Sequence, residues 1–317
     1  MACYYPKEAW KVGLTEKGKA KLTFKKPENH WNYEKVKLPC GTCIGCKVEK
    51  SRQWAIRCVH EASLHEDNCF LTLTFNEEHM PKNRSINKRD LQLFFKRLRK
   101  RYPNKVIKYF ACGEYGDERN RPHYHVILFN HDFKDKYLWS KSGSGEILFR
   151  SPSLEKLWTD PQTKESLGYS SIGNVTFQSA AYVARYQFKK QKKELNKDEY
   201  ELVDAETGEV HDLEPEFVLM SRGGKKGKGI AGDWYAKYMS DTNKDYIYVN
   251  RTRMSLPKYY DYLREKIDSQ SLEEVKKARK QSMMDNKHEY SKNRLKQKET
   301  VKKQQLSQLK RGLENVR

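Results

Sequence analysis

The sequence predicts a mixed α+β chain, and three observations carry that reading. Helix-period stripes alternate with strand-period runs between about residues 43 and 193. Two of the strand runs face each other across one polar loop, as an antiparallel pair does. A mean hydropathy of -0.99 over 317 residues confines the core to part of the length, enough for one large domain or a domain with appendages.

Residues 43–65 set Trp54, Ile56, Val59 and Leu64 among Lys, Arg and Glu, the pattern of an amphipathic helix. A strand over 69–75 follows, with Phe70, Thr72 and Thr74 on one face and Leu71, Leu73 and Phe75 on the other. Asn87 and Asp90 open a helix reaching about 102. Its core stripe is Leu91, Phe94, Phe95 and Leu98, and Lys96, Arg97, Arg99, Lys100 and Arg101 form a basic face.

A strand over 105–112, a loop over 113–121 and a strand over 122–130 come next. Residues 131–168 are polar, with a short helical piece near 154–158, and read as an insertion. Gly168 and Gly173 permit a turn or bulge beside a strand over 169–177. In a helix over about 179–193, Ala181, Ala184 and Phe188 pack inward while Tyr182, Arg185, Tyr186 and Lys189 form a polar, basic flank.

Segment 194–210 is charged and loop-like. The run Gly223 to Gly229 joins permissive backbone to lysines and suits phosphate, but its spacing is not that of a Walker A loop. Short helices over 232–239 and 257–266 flank a strand over 246–249, and 271–317 reads as an extended helix or a disordered basic tail. The expected organisation is a Cys-rich segment and helix over 1–66, a core over 67–260 and a basic tail over 261–317.

Lys and Arg number 63 against 42 Asp and Glu, a formal charge of +21. That surplus is an electrostatic footprint for polyanions, and nucleic acid is the leading partner. No run approaches the roughly 18 apolar residues of a membrane helix, and the start lacks the regions of a signal peptide, so a cytosolic protein with no membrane partner is expected.

The seven cysteines are odd in number and argue against a disulfide framework. Cys40, Cys43 and Cys46 are spaced C-x2-C-x2-C, short enough for three thiolates to reach one tetrahedral ion. Cys3 is the first candidate for a fourth ligand of a structural Zn2+ site, with Cys58 and His60 as alternatives. Reduced, inert thiols are the competing account.

The chemistry concentrates in two places. His123 and His125 alternate on a strand and so share a face, which suits two imidazoles converging on one divalent metal. Tyr182 and Tyr186 stand at i and i+4 on one helix face, two hydroxyl nucleophiles one turn apart.

In order, the 70–75 strand, His123-Tyr124-His125 and the two tyrosines resemble the HUH endonucleases of rolling-circle replication. The cysteine cluster, the stretch from Trp54 to Glu61 and Gly113-Glu114-Tyr115-Gly116 are more narrowly similar to the replication initiators of gokushovirus-type microviruses. The resemblance implies a central antiparallel sheet of the ferredoxin-like or RRM-like kind, flanked by helices. It also implies Mg2+ or Mn2+ held by His123, His125 and an acidic residue. Glu114 is the choice, with Asp117 and Glu118 in the same loop.

The implied reaction is nicking of single-stranded phage origin DNA by tyrosine transesterification, leaving a 5′-phosphotyrosine link, with rejoining at termination. Arg185, Lys189 and Lys190 would hold phosphates or lend a cationic field. Partners would be the origin DNA and a host helicase with its replication machinery, in the cytoplasm of the bacterial host. From another class, a non-catalytic nucleic-acid-binding or packaging protein would use the same histidines and tyrosines only for stacking.

Overall fold

Strand alternation in the sequence becomes a seven-stranded antiparallel sheet in the computed structural model, which describes residues 3–16, 18–81, 83–116, 121–142, 145–160, 162–186, 201–203, 208–223 and 228–308. Two compact units are present, Met1–Lys50 with Glu274–Leu309 and Ser51–Glu273.

In the first unit, β1 (Lys7–Leu14), β2 (Ala20–Thr23) and β3 (Glu34–Leu38) form an antiparallel sheet in the order β2-β1-β3. The sequence reading contains none of these strands. Of β1 only Ala9 and Trp10 are buried, and lysines occupy the other positions, so no period-2 pattern is visible.

The helix α1 (Ile44–Ala62) is the predicted amphipathic helix, with Ala55, Ile56 and Cys58 fully buried and Trp54 and Val59 only partly. The rest of the second unit runs β4 (Asn68–Thr74), α2 (Lys88–Arg101), β5 (Lys108–Tyr115), β6 (Pro122–Phe129), β7 (Tyr137–Lys141), β8 (Ile147–Arg150), α3 (Pro152–Glu155), β9 (Ser170–Gly173) and α4 (Phe177–Tyr186). It continues with β10 (Glu201–Val203), β11 (Val210–Asp212), β12 (Phe217–Met220), α5 (Gly232–Lys237), β13 (Tyr246–Val249), β14 (Thr252–Ser255) and α6 (Lys258–Ile267).

The large sheet has the order β12-β5-β6-β4-β9-β8-β7. Its two faces carry separate cores. Leu71, Leu73, Ala111, Val126 and Leu128 meet Leu91, Phe94, Phe95 and Leu98 of α2 on one face. Phe70, Phe110, Cys112, Ile127 and Phe129 meet Ala180, Val183 and Ala184 of α4 and Ala55 and Cys58 of α1 on the other. Each large buried side chain contributes about 1.5–3 kcal/mol. The Asn87 side chain caps α2 by accepting from the Arg89 amide at 2.9 Å, an interaction of about 1 kcal/mol.

Three expectations are corrected. The polar segment 131–168 is no detached insertion: β7 and β8 extend the sheet, joined through Phe149 opposite Ile172. Their outward faces are exposed, which hides them from a hydrophobicity pattern. Glu114 belongs to β5 rather than a loop, because pairing with β6 on one side and β12 on the other carries the ladder to Tyr115 and to Gly113 respectively. Within 194–210, residues 201–203 pair with 210–212 as a two-stranded ribbon.

The stretch from Trp54 to Glu61 works as an internal clamp. Arg57 lies 3.9 Å from each of the Trp54 and Tyr259 rings and donates to the Ile230 carbonyl, while Glu61, wholly buried, accepts from the Ala231 amide at 2.6 Å and pairs with Lys108 at 2.8 Å. After α6 come α7 (Ser269–Asp285) and α8 (Lys292–Ser307), so the described part of the tail is helical. Among the described residues, no helix is long and apolar enough to cross a membrane.

Candidate active site

On the α4 side of the sheet, polarity rises along three adjacent strands. Register places Cys112, His125 and Thr72 in one row and Glu114, His123 and Thr74 in the next. Directly paired residues of antiparallel strands share a face, so these six side chains point toward α4. The apolar row of Phe110, Ile127 and Phe70 lies behind them, and the polar rows end the sheet.

His125 sits at the centre of the cluster. Its Nε2 is 2.8 Å from Oε1 of Glu114 and its Nδ1 is 3.1 Å from the Thr72 hydroxyl, so both ring nitrogens are held. The Tyr182 hydroxyl donates to the same Glu114 Oε1 at 2.8 Å, and its ring meets His125 edge to face at 5.0 Å. His125 and Tyr182 are each 2% exposed and Glu114 is 4% exposed. In this dry setting a hydrogen bond to an ionised group is worth about 1.5–3 kcal/mol.

The other Glu114 oxygen, Oε2, is buried and has no hydrogen-bond partner among the described residues. An orphaned carboxylate oxygen costs desolvation without return, and a cation is the partner that removes that cost. His123 is also prepared: its Nδ1 donates to the Arg121 carbonyl at 2.6 Å, which leaves Nε2 with its lone pair. Burial, reinforced by the neighbouring His125, holds His123 below the ordinary histidine range and keeps it neutral. This donor set of two imidazoles and a carboxylate fits a divalent ion of the Mg2+ or Mn2+ class. Its ligand atoms do not lie within 4.8 Å of one another; among the described residues the group that does is Cys3, Cys40, Cys43 and Cys46.

Tyr182 overturns one expectation. The sequence puts it on a polar flank of its helix, whereas it is buried beside Ala180, Val183 and Ala184. The site supplies the hydroxyl with its acceptor, which makes burial of the ring favourable. Arg185 remains exposed, with its guanidinium 5.4 Å from the Tyr182 ring. Tyr186 closes α4 one turn beyond Tyr182, so the backbone sets both on one side of the helix. Lys189 and Lys190 lie outside the described residues, as do Asp117, Glu118 and the 224–227 part of the glycine-lysine run. Sequence reading missed the Thr72 contact to His125, although the alternation of Thr72 and Thr74 was its signal.

Cys58 and His60, the alternative zinc ligands, are buried in the second unit, where the His60 Nδ1 is 2.7 Å from the Tyr260 hydroxyl. Their places in α1 are structural.

Residues 68–192 match the family model of the replication-associated protein ORF2, a stretch that contains Glu114, His123, His125, Tyr182 and Tyr186. The replication-associated protein VP4 of Bdellovibrio phage phiMH2K is 33% identical over 232 residues, covering 70% of this chain and 66% of that protein. The replication-associated protein ORF2 of Spiroplasma virus 4 is 31% identical over 242 residues, covering 71% and 66%. The replication-associated protein ORF4 of Chlamydia phage 1 is 35% identical over 162 residues, covering 48% and 38%. The chain therefore aligns with just under two thirds of the length of the first two relatives. No solved structure matches it.

Proposed function

The chain belongs to the microvirus-type replication-associated proteins, and from that premise we propose that it starts phage DNA replication by nicking single-stranded origin DNA through a tyrosine and later rejoining the ends. The observation that carries this reading is the meeting of Tyr182, Glu114 and His125 from three separate elements on one buried oxygen.

In the proposed reaction the Tyr182 oxygen attacks a phosphodiester. An O–P bond forms to tyrosine, the bond to the 3′ oxygen breaks, and that oxygen leaves as a hydroxyl after gaining a proton. Glu114 Oε1 already accepts from the phenol and is its nearest proton acceptor. Thr72 and Glu114 fix the His125 ring between them, and the Arg121 carbonyl fixes that of His123. These second partners hold the imidazoles in one orientation before DNA arrives. His123, His125 and Glu114 would hold Mg2+ or Mn2+, which when bound draws charge from a phosphate oxygen.

One phosphoester replaces another, so the link keeps the energy of the broken bond and the reverse reaction needs no ATP. Tyr186, one turn along, would supply a second hydroxyl when the regenerated origin is cut again. The exposed Arg185 would meet DNA phosphates, with Lys189 and Lys190 in the same role, and unwinding would fall to a host helicase in the bacterial cytoplasm.

The test is a labelled single-stranded origin oligonucleotide incubated with protein and Mn2+. A covalent adduct should form, disappear with EDTA, and be lost in the Tyr182→Phe, Tyr186→Phe double variant. Tight, salt-sensitive binding without adduct under any divalent ion would instead mark a binding protein.

A further inference from the structure

The first unit is poor in core. Of its described residues in Met1–Lys50 and Glu274–Leu309, the buried apolar side chains are Cys3, Ala9, Trp10, Cys46 and Leu295. So small a core does not by itself offset the conformational entropy of ordering such a segment, and natural domains of this kind add a covalent or metal staple. Two of the five buried apolar side chains are cysteines.

The four cysteines come from three places. Cys3 precedes β1, Cys40 and Cys43 lie in the turn after β3, and Cys46 is in the first turn of α1. Their sulfurs all lie within 4.8 Å of one another, and every cysteine is free. Cys40 and Cys46 sulfurs are 4.0 Å apart and those of Cys3 and Cys43 are 3.9 Å apart, nearly twice a disulfide bond. A tetrahedral Zn2+ with Zn–S bonds of about 2.3 Å requires S···S edges of about 3.8 Å, close to both values.

The backbone is arranged around the sulfurs. The amide of Cys40 donates to Cys3 Sγ at 3.2 Å, that of Cys43 to Cys40 Sγ at 3.3 Å and that of Tyr4 to Cys43 Sγ at 3.5 Å. Gly41 supplies a backbone donor to Cys46, and it does so from a left-handed conformation with φ of 87°, where a side chain would be strained. All four sulfurs therefore have an N–H aimed at them, the arrangement that stabilises thiolates rather than thiols. Burial works against ionisation of Cys40, yet the amides of Cys43 and Thr42 outweigh it and bring the thiol down to about 6.

We infer that Cys3, Cys40, Cys43 and Cys46 form a structural tetrathiolate site for Zn2+, which ties the start of β1 to the end of β3 and to the first turn of α1. Binding would deprotonate the thiols and release their protons to solvent, with no change in oxidation state. The site is separate in chemistry from the His123, His125 and Glu114 set, since soft thiolates select zinc where the mixed nitrogen and oxygen set suits Mg2+ or Mn2+.

The full chain, purified without chelator and dialysed exhaustively, should carry about one zinc per molecule by elemental analysis. Replacement with Co2+ should give the sulfur-to-metal charge-transfer absorption and the intense visible bands of a tetrahedral thiolate site. A mercurial thiol reagent should release the zinc. Cys43→Ser should lose at least nine tenths of the metal, whereas Cys69→Ala, at a buried strand cysteine, should keep it. The His123→Ala, His125→Ala double variant should also keep it, which separates failure of this inference from failure of the nuclease reading. Wild-type protein with less than about a tenth of an equivalent of zinc and no Co2+–thiolate absorption would overturn the site. So would a full equivalent retained by Cys43→Ser. Should Cys43→Ser fail to fold, the wild-type stoichiometry and cobalt spectrum still decide.

Discussion

Tyr182 donates its hydroxyl to Glu114 at 2.8 Å, across the space between helix α4 and strand β5. The contact fixes the phenol oxygen in the polar end of the sheet, at the carboxylate that His125 also touches. A nucleophile held this way loses little further entropy when DNA arrives. Tyr182→Phe should therefore cut covalent adduct formation by at least 100-fold while changing single-stranded DNA affinity less than threefold. A gel assay for the adduct beside a fluorescence-anisotropy titration measures both. Adduct yield within threefold of wild type would shift the first cut to Tyr186.

The orphaned Glu114 Oε2 predicts metal-linked stability. A ligand that binds only the folded state adds about 2.7 kcal/mol at 100 times its dissociation constant. Mn2+ should thus raise the melting temperature of the wild type, read by calorimetry. Glu114→Gln keeps an oxygen for Tyr182 but removes the charge, and its Mn2+-dependent rise should shrink to less than a third. An undiminished rise would remove Glu114 from the ligand set.

His60 predicts an acid-sensitive fold. Burial against Trp234, ring to ring at 3.6 Å, pushes its pKa down to about 3, and burial likewise holds His131 at about 4. Both are neutral in the folded chain and take a proton near 6.5 once unfolded. Their contribution is full above pH 6.5 and is lost as pH falls from 6.5 toward 4 and 3, by as much as about 4 kcal/mol for His60. Urea denaturation at pH 7, 6, 5 and 4.5 should show this decline. His60→Gln, weaker at pH 7, should show a flatter one. An equal slope in both proteins would refute the assignment.

How far the sequence led depends on where each pattern gets its physics. The core stripe of α2 and the alternation in β4 and β6 are local, and Leu91, Phe94, Phe95, Leu98 and the paired histidines emerged as read. Burial of Tyr182 depends on an acceptor on a strand 68 residues away, so the 3.6-residue period alone assigned it to the wrong face. In the same way Glu114 looked like a loop residue because the ladder that holds it is completed by β12, about a hundred residues later. The lysine-rich β1 and exposed β7 form through pairing rather than apolar alternation, and that signal is absent from a single strand.

Gly168 predicts how tightly the site depends on its frame. It has φ of 152°, and a Cβ there would stand 2.4 Å from the Thr74 carbonyl oxygen and 2.5 Å from the Asn76 amide nitrogen. Both neighbours are backbone, so no side chain can turn aside to make room. Thr74 pairs directly with His123, and its carbonyl also accepts from the Trp158 indole at 2.8 Å. Gly168→Ala must therefore push the end of β4 away from the helix-side packing or give up that indole bond. Either route should cost on the order of 2–3 kcal/mol of stability, a range set by overpacking against a fixed neighbour. The same shift moves the His123 row, so the Mn2+-dependent rise in melting temperature should fall along with it. Gly173→Ala is the matched control, because its added methyl meets only side-chain atoms at 3.7 and 3.8 Å, ordinary contact distances. Equal stabilities for the two variants would show that the β4 end yields freely and that the histidine row is not held by this crossing.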